Sequence, residues 1–151
     1  MKTEILFPEV ANLCGDLMNV TYLRQCCPEM EVVETGLKDR PAFLDGGVDL
    51  VYVGSATERG LQLMVKALAP YRAELERYVD GGGLMLATGN ALDALGEYVV
   101  IDGKRAFDGL GILKTHAEYH MMKRHNSFLL GSFQDMEIVG FKSLFGHTYP
   151  D

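Results

Sequence analysis

The chain is expected to be one α/β domain with a mostly parallel sheet covered on both faces and a β-rich C-terminal half. Three observations lead there. Apolar runs closed by Pro or Gly alternate with segments of helical spacing as far as Gly96. Beyond Gly96 the period shortens to strand-like runs separated by Gly, Asp or Asn turns. The chain has 151 residues, 48% hydrophobic and 23% charged, which suits a single core, and no repeat or linker divides it.

Taken in order, Glu4-Ile5-Leu6-Phe7 is an apolar run stopped by Pro8 and reads as the first strand. Asp16 is placed to cap a helix over 16–27, because Leu17, Val20 and Leu23 recur on one face. Val32-Val33 and Asp49 to Val53 are β-branched or aromatic runs closed by Gly36 and Gly54, hence two more strands. From Thr57, apolar residues at Leu61, Met64, Val65, Leu68, Tyr71, Leu75 and Val79 keep helical spacing, with Pro70 expected to kink or split the segment. Asp80-Gly81-Gly82-Gly83 ends it, Leu84 to Ala87 is a fourth strand, and Thr88-Gly89-Asn90 is a sharp turn into a short helix reaching Leu95. Four short strands follow, at 98–101, 119–122, 128–133 and 137–141. Alternation of strand and helix implies right-handed crossovers.

Composition excludes several function classes. The formal charge of −7 leaves no basic stripe to neutralise phosphates, so nucleic acid is not an expected partner. No apolar run reaches the length of about eighteen residues that a membrane span needs, and the run after Met1-Lys2-Thr3-Glu4 is too short for a signal peptide; a cytoplasmic protein is expected. Three cysteines, two of them adjacent at Cys26-Cys27, do not form a disulfide framework, and Cys14 has no metal-ligand spacing around it, so all three are read as structural thiols.

In an open parallel sheet, ligands collect beyond the carboxyl ends of the strands, which points to the loops after Phe7, Val53 and Ala87. The third is a strand, a tight small-residue turn and a helix, the geometry of a nucleophile elbow. Its centre is Gly89, which carries no side chain. Gly54-Ser55-Ala56-Thr57, leading into the long helix, offers backbone amides that suit an anion.

Several blocks resemble the CobB/CobQ-like glutamine amidotransferases, among them the small subunit that partners a Mur-ligase-like enzyme in amidating lipid II. Pro8-Glu9-Val10-Ala11-Asn12-Leu13-Cys14-Gly15-Asp16 with Asn19 is similar to that subunit's Pro-Asp-x-x-Asn-Leu-Tyr-Gly-Asp-x-x-Asn opening. Asp49 to Gly54 resembles its Asp-hydrophobic-Gly strand, and Leu86 to Gly96 lines up without gaps on Leu-Ala-Ile-Cys-Gly-Gly-Tyr-Gln-Leu-Leu-Gly. Gly109-Leu110-Gly111-Ile112-Leu113 matches a family Gly-Leu-Gly-Ile-Leu. The resemblance implies a flavodoxin-like, class I glutamine amidotransferase-like three-layer sandwich, a glutamine-like ligand and a Mur-ligase-like or other synthetase partner.

The departures from the family pattern fall on its chemistry. The nucleophilic Cys aligns with Gly89, the following glycines with Asn90 and Ala91, and the Gln of the motif with Asp93. The family's Gly-Phe-Glu-Asn-His stretch reads Gly140-Phe141-Lys142-Ser143-Leu144, and the segment carrying the catalytic His is not reached, so the usual C-terminal segment is expected to be lacking. A glutaminase needs a thiolate to attack the amide and a base to manage protons; neither has a matching occupant. The expectation is a catalytically degenerate binding or partner subunit. The alternatives are an amidotransferase subunit serving cobyrinate or lipid II, and a small-molecule sensor. No catalytic residue, metal or cofactor is assigned.

The ligand-binding candidates are Ser55, Thr88, Gly89, Asn90 and Arg124. Arg124 approximately matches a family Arg that contacts glutamine. Thr88 is expected to pack or cap, and Asn90 to cap the helix that begins at Ala91. His116, His120 and His125 are read as solvent-exposed and not as metal ligands.

Overall fold

The computed structural model describes all 151 residues. Strands β1 (Lys2–Leu6), β2 (Glu31–Thr35), β3 (Leu50–Val53) and β4 (Leu84–Ala87) form one wholly parallel sheet in the order β2-β1-β3-β4. Helix α1 (Met18–Cys26) joins β1 to β2, and helices α2 (Glu58–Leu68) and α3 (Arg72–Asp80) join β3 to β4. The chain returns from β2 to β3 through a short 3₁₀ turn at Ala42–Asp45.

Because neighbouring residues on a strand point to opposite faces, the register divides the core in two. Ile5 and Tyr52 face α1, where Val20 and Met30 close over them. Leu6, Val51 and Val53 face the other way, toward Leu61, Met64 and Leu68 of α2 and Leu75 of α3. Thr57 caps α2 by accepting a hydrogen bond from Gly60 N (3.1 Å). Pro70 splits the long helical segment as expected: α2 ends at Leu68, and α3 begins at Arg72 after a 3₁₀ turn.

One acidic side chain is part of this core. Glu4 is fully buried on β1; its Oε1 accepts from Thr35 Oγ1 and Ala42 N (both 2.6 Å) and its Oε2 from Phe43 N (2.7 Å). The carboxylate therefore fixes the 42–45 turn against the sheet, with its polar atoms satisfied as burial demands.

After helix α4 (Ala91–Leu95), strands β5 (Tyr98–Ile101), β6 (Lys104–Asp108), β7 (Thr115–Tyr119) and β10 (Gly146–Pro150) build a second, mixed sheet in the order β10-β7-β5-β6. Strands β8 (His125–Phe133) and β9 (Met136–Leu144) form a separate antiparallel hairpin. The halves are joined by Arg72, whose Nε and Nη2 donate to the carbonyls of Leu110 and Gly111 (2.5 and 2.8 Å). No helix is long and apolar enough to cross a membrane.

Three readings of the elements need correction. The strand expected at 119–122 lies at Thr115–Tyr119, followed by a turn, because Tyr119 packs in the core while Met122 is exposed. Strands β6 and β10 were not foreseen; β6 is mostly exposed and carries Lys104, Arg105 and Asp108, which hides any apolar alternation. Helix α1 begins at Met18, and Asp16 does not cap it. Instead Asn12 Oδ1 accepts from Leu17 N (3.0 Å), while the Asp16 carboxylate is used elsewhere.

Candidate functional site

The loops after β1, β3 and β4 meet at the carboxyl end of the parallel sheet, as the strand order requires. Leu13 N donates to Ser55 O (2.9 Å), and Thr88 N to Val53 O (3.0 Å). Gly54 permits the first approach: a Cβ there would lie 2.1 Å from the Ala11 carbonyl oxygen.

Asp16 ties all three loops. Its Oδ2 accepts from Ser55 N (2.5 Å) and Thr88 Oγ1 (2.6 Å), and its Oδ1 from Asn19 Nδ2 (2.7 Å). Tyr52, rising from β3, donates its hydroxyl to the Asp16 carbonyl (2.8 Å) and lies 3.2 Å from Thr88 Oγ1. Burial pushes the Asp16 carboxyl up, but the bonds from the Ser55 amide and the Thr88, Ser55 and Tyr52 hydroxyls outweigh it, and the net displacement is downward.

The turn at 88–90 has the shape of an elbow without a reactive side chain. Gly89 has φ +54°, and a Cβ at that position would stand 2.8 Å from Ser55 Cβ. Both the backbone conformation and the space above it therefore favour glycine. Asn90 does not cap α4; its side chain reaches across to the start of α2, accepting from Ala56 N (3.0 Å) and donating to Ala56 O (2.8 Å).

These contacts overturn one reading of the 54–57 loop. The amides of Ser55 and Ala56 are already spent on Asp16 and Asn90, so they do not form an open anion cradle. Thr88 is a hydrogen-bonding link to Asp16, neither a cap nor a free hydroxyl.

The three loops form one wall of a cleft of about 730 Å³. The second half of the chain supplies the other wall, including Tyr119, Arg124, Phe145, His147 and Thr148. Of the five ligand-binding candidates, Ser55, Gly89, Asn90 and Arg124 line the cleft, while Thr88 lies behind the wall. Arg124 stacks its guanidinium 4.5 Å from the centre of the Phe145 ring, which holds the charge at the cleft's rim. It belongs to the turn before β8, not to a strand.

On the cleft's inner wall, Asp93 is buried and accepts from Tyr119 Oη at Oδ2 (2.5 Å) and Thr148 Oγ1 at Oδ1 (2.6 Å). Burial raises the Asp93 carboxyl above its ordinary range despite those two bonds. Burial, then the adjoining Asp93 carboxyl, push the Tyr119 phenol up as well. The site thus contains two carboxyls displaced in opposite directions, one well hydrogen-bonded at the loop junction and one enclosed.

Most lining residues lie outside the five candidates, among them Cys14, which the sequence reading set aside as structural, and His147. Cys14 is exposed in a short turn with φ +58°, a strained conformation for a non-glycine residue, and borders the cleft instead of packing structurally. His147 lies on the opposite wall, where its ring meets that of His125 edge-on (5.2 Å between centroids). Cys14 has no hydrogen bond to an imidazole. Only the position of Cys14 between Asn12 and Asp16 signalled the first, and nothing local signalled the second.

The histidines also differ from expectation in one case. His116 is not solvent-exposed: its ring stacks between Tyr98 and Tyr149, and Nδ1 pairs with Asp151 Oδ1 (2.5 Å). No three His, Cys, Asp or Glu side chains come together in a metal-holding group.

No protein-family model matches the sequence. The chain is 28% identical over 145 residues, 93% of its own length, to the lipid II isoglutaminyl synthase (glutamine-hydrolyzing) subunit GatD of Staphylococcus aureus strain N315. It spans 58% of that protein's length. The chain is therefore a distant homologue of a subunit of a glutamine-hydrolysing synthase.

Proposed function

We propose that the protein is a catalytically degenerate glutamine amidotransferase-like subunit: one domain of the class I, flavodoxin-like three-layer kind that binds a glutamine-like molecule and assists a synthetase partner without releasing ammonia. The observation that carries this reading is Gly89. The tip of the elbow has no side chain, and Ser55 occupies the space that its first carbon would need. Glutaminase chemistry of the kind named for the relative requires a covalent nucleophile at such a point, aligned with helix amides for the oxyanion. The similarity to a lipid II synthase subunit favours a cell-wall amidation system over cobyrinate, with a Mur-ligase-like synthetase as the partner. Work beside such a synthetase fits a cytoplasmic setting.

Arg124 on its aromatic platform is the group for a ligand carboxylate, and Ser55, Gly89 and Asn90 shape the wall opposite it. Thr88 contributes indirectly, by holding Asp16 and hence the loop.

The test pairs two measurements on the purified protein. Ammonia release from glutamine stays at background, with and without a Mur-ligase-like synthetase. Glutamine raises the thermal midpoint by simple mass action, about 2.7 kcal/mol of stabilisation at a hundredfold excess over Kd, and Arg124→Ala removes the rise. Turnover above background ends the reading of a silent subunit.

A second reading has its own support: Cys14 and His147 border the same cleft, so a displaced thiol and base would make the protein an active hydrolase. It predicts ammonia release that Cys14→Ser and thiol alkylation both abolish.

A further inference from the structure

Asp93 is a buried carboxyl without a counter-charge. It is 6% exposed, and none of the molecule's ion pairs includes it. Its side chain accepts from two neutral hydroxyls, Tyr119 Oη at Oδ2 and Thr148 Oγ1 at Oδ1 (2.5 and 2.6 Å). Carboxylates taken out of water are ordinarily paired with a cation, because hydroxyls alone do not replace the hydration that is lost. Burial accordingly pushes this carboxyl above its ordinary range, and no cation offsets it.

The cleft can supply the missing charge. Asp93 and both of its hydroxyl donors border the cavity of about 730 Å³. A carboxylate has about four acceptor positions, and the hydroxyls fill two of them. Glu58, the first residue of α2, lines the same cavity, and its charge acts on the Tyr119 phenol together with that of Asp93. Two acids therefore surround one phenol. Arg124, the cavity's guanidinium, is held on the Phe145 ring and forms an ion pair with neither. The cleft is thus divided, negative at Asp93 and Glu58 and positive at Arg124. A divalent metal ion does not suit the acidic end, since no three ligating side chains converge there. An ammonium group does, being compact, singly charged and a donor only.

We infer that Asp93 is a specificity-determining residue that makes the cleft select ligands carrying a primary ammonium group, seated against Asp93 and Glu58. This rests on the functional reading above, which places a ligand carboxylate at Arg124, and deepens it: the ligand class is a small zwitterion, read by its amine as well as by its acid. The ammonium donates into the open acceptor positions of Asp93 and supplies the charge that folding left unmatched. A ligand of the same length without the amine leaves the carboxylate as it was, so the cleft discriminates against it.

The experiment is calorimetric titration of the intact protein with three probes. These are glutamine, glutaramate (glutamine without its amino group) and γ-aminobutyramide (glutamine without its carboxylate). The wild-type protein binds glutamine about tenfold or more tighter than glutaramate. Asp93→Asn brings the two within about twofold by weakening glutamine alone, and Glu58→Gln narrows the gap several-fold. γ-Aminobutyramide is weakened by Asp93→Asn and unchanged by Arg124→Ala. A merely structural Asp93 lowers the thermal midpoint of the Asn variant but leaves the ratio of glutamine to glutaramate as it was, and that result overturns the inference. So does equal affinity for glutamine and glutaramate in the wild type, a comparison that holds even if Asp93→Asn fails to fold; the glutamine-binding subunit then survives. If glutamine does not bind but γ-aminobutyramide does, and loses affinity in Asp93→Asn, the amine site stands and the functional reading falls. Binding of none of the three overturns both.

Discussion

Replacing Asp16 by alanine tests the idea that one carboxylate holds the site together. The substitution removes the acceptor of Ser55 N and Thr88 Oγ1, at 2.5 and 2.6 Å, and that of Asn19 Nδ2. Hydrogen bonds to a charged partner contribute about 1.5–3 kcal/mol each. The Asn19 bond is exposed and adds little, and Thr88 keeps weaker contacts to Tyr52 Oη and Val53 O at 3.2 and 3.4 Å. The Ser55 amide keeps none. The net loss is about 2–4 kcal/mol, or a fall of about 5–15 °C in thermal midpoint for a domain of this size. Urea titration at several pH values is the assay. The folded Asp16 carboxyl lies below its unfolded counterpart, so its contribution is present above the unfolded value, near pH 3.9, and is lost as pH falls through the folded value. Wild type and Asp16→Ala therefore converge in acid. A gap below about 0.5 kcal/mol at neutral pH, or one that stays constant into acid, would refute the reasoning.

Asp93 gives the opposite sign. Its folded carboxyl is raised by burial, so the stability linked to its protonated form is present below the unfolded value and is lost as pH rises through the folded value. Asp93→Asn keeps the shape without the charge and flattens that decline; identical pH profiles for the two proteins would contradict the assignment. Glu4→Ala strands Thr35 Oγ1 and the amides of Ala42 and Phe43 in the interior, at about 3–5 kcal/mol by urea titration and with faster exchange at the two amides. A change under about 1 kcal/mol would show that water or a shift of the turn replaces the carboxylate. At the elbow, Gly89→Ala costs about 1–3 kcal/mol, and adding Ser55→Gly returns part of it by opening the space above. Simple additivity of the two changes would argue against the contact.

The first half of the fold was legible in the sequence because its signals are local. β1, β3 and β4 are short apolar runs closed by Pro8, Gly54 and the Thr88-Gly89 turn, and Pro70 splits a helix whose apolar face is regular. Asp16 misled because its type and place suit a helix cap, while its true partners lie 39 and 72 residues further along the chain. Asn90 failed for the same reason: it bonds Ala56 in the neighbouring loop of the same wall, not the helix that it precedes. In the second half, β6 and β10 carry too few buried positions for alternation to show, and His116 finds Asp151 only through the pairing of β7 with β10. The cleft lies where topology pointed, at the loops beyond the strand ends. Its opposite wall, with Tyr119 and His147, depends on how the mixed sheet folds back, and no local pattern encodes that.

The crowding between Gly89 and Ser55 has an evolutionary side. A side chain at the turn meets an obstruction in the loop after the preceding strand, and clearing that obstruction alone leaves the turn without a side chain. Neither step confers an advantage without the other. A side chain gained at 89 has to be matched by a smaller one at 55, so the two positions are expected to change together or not at all.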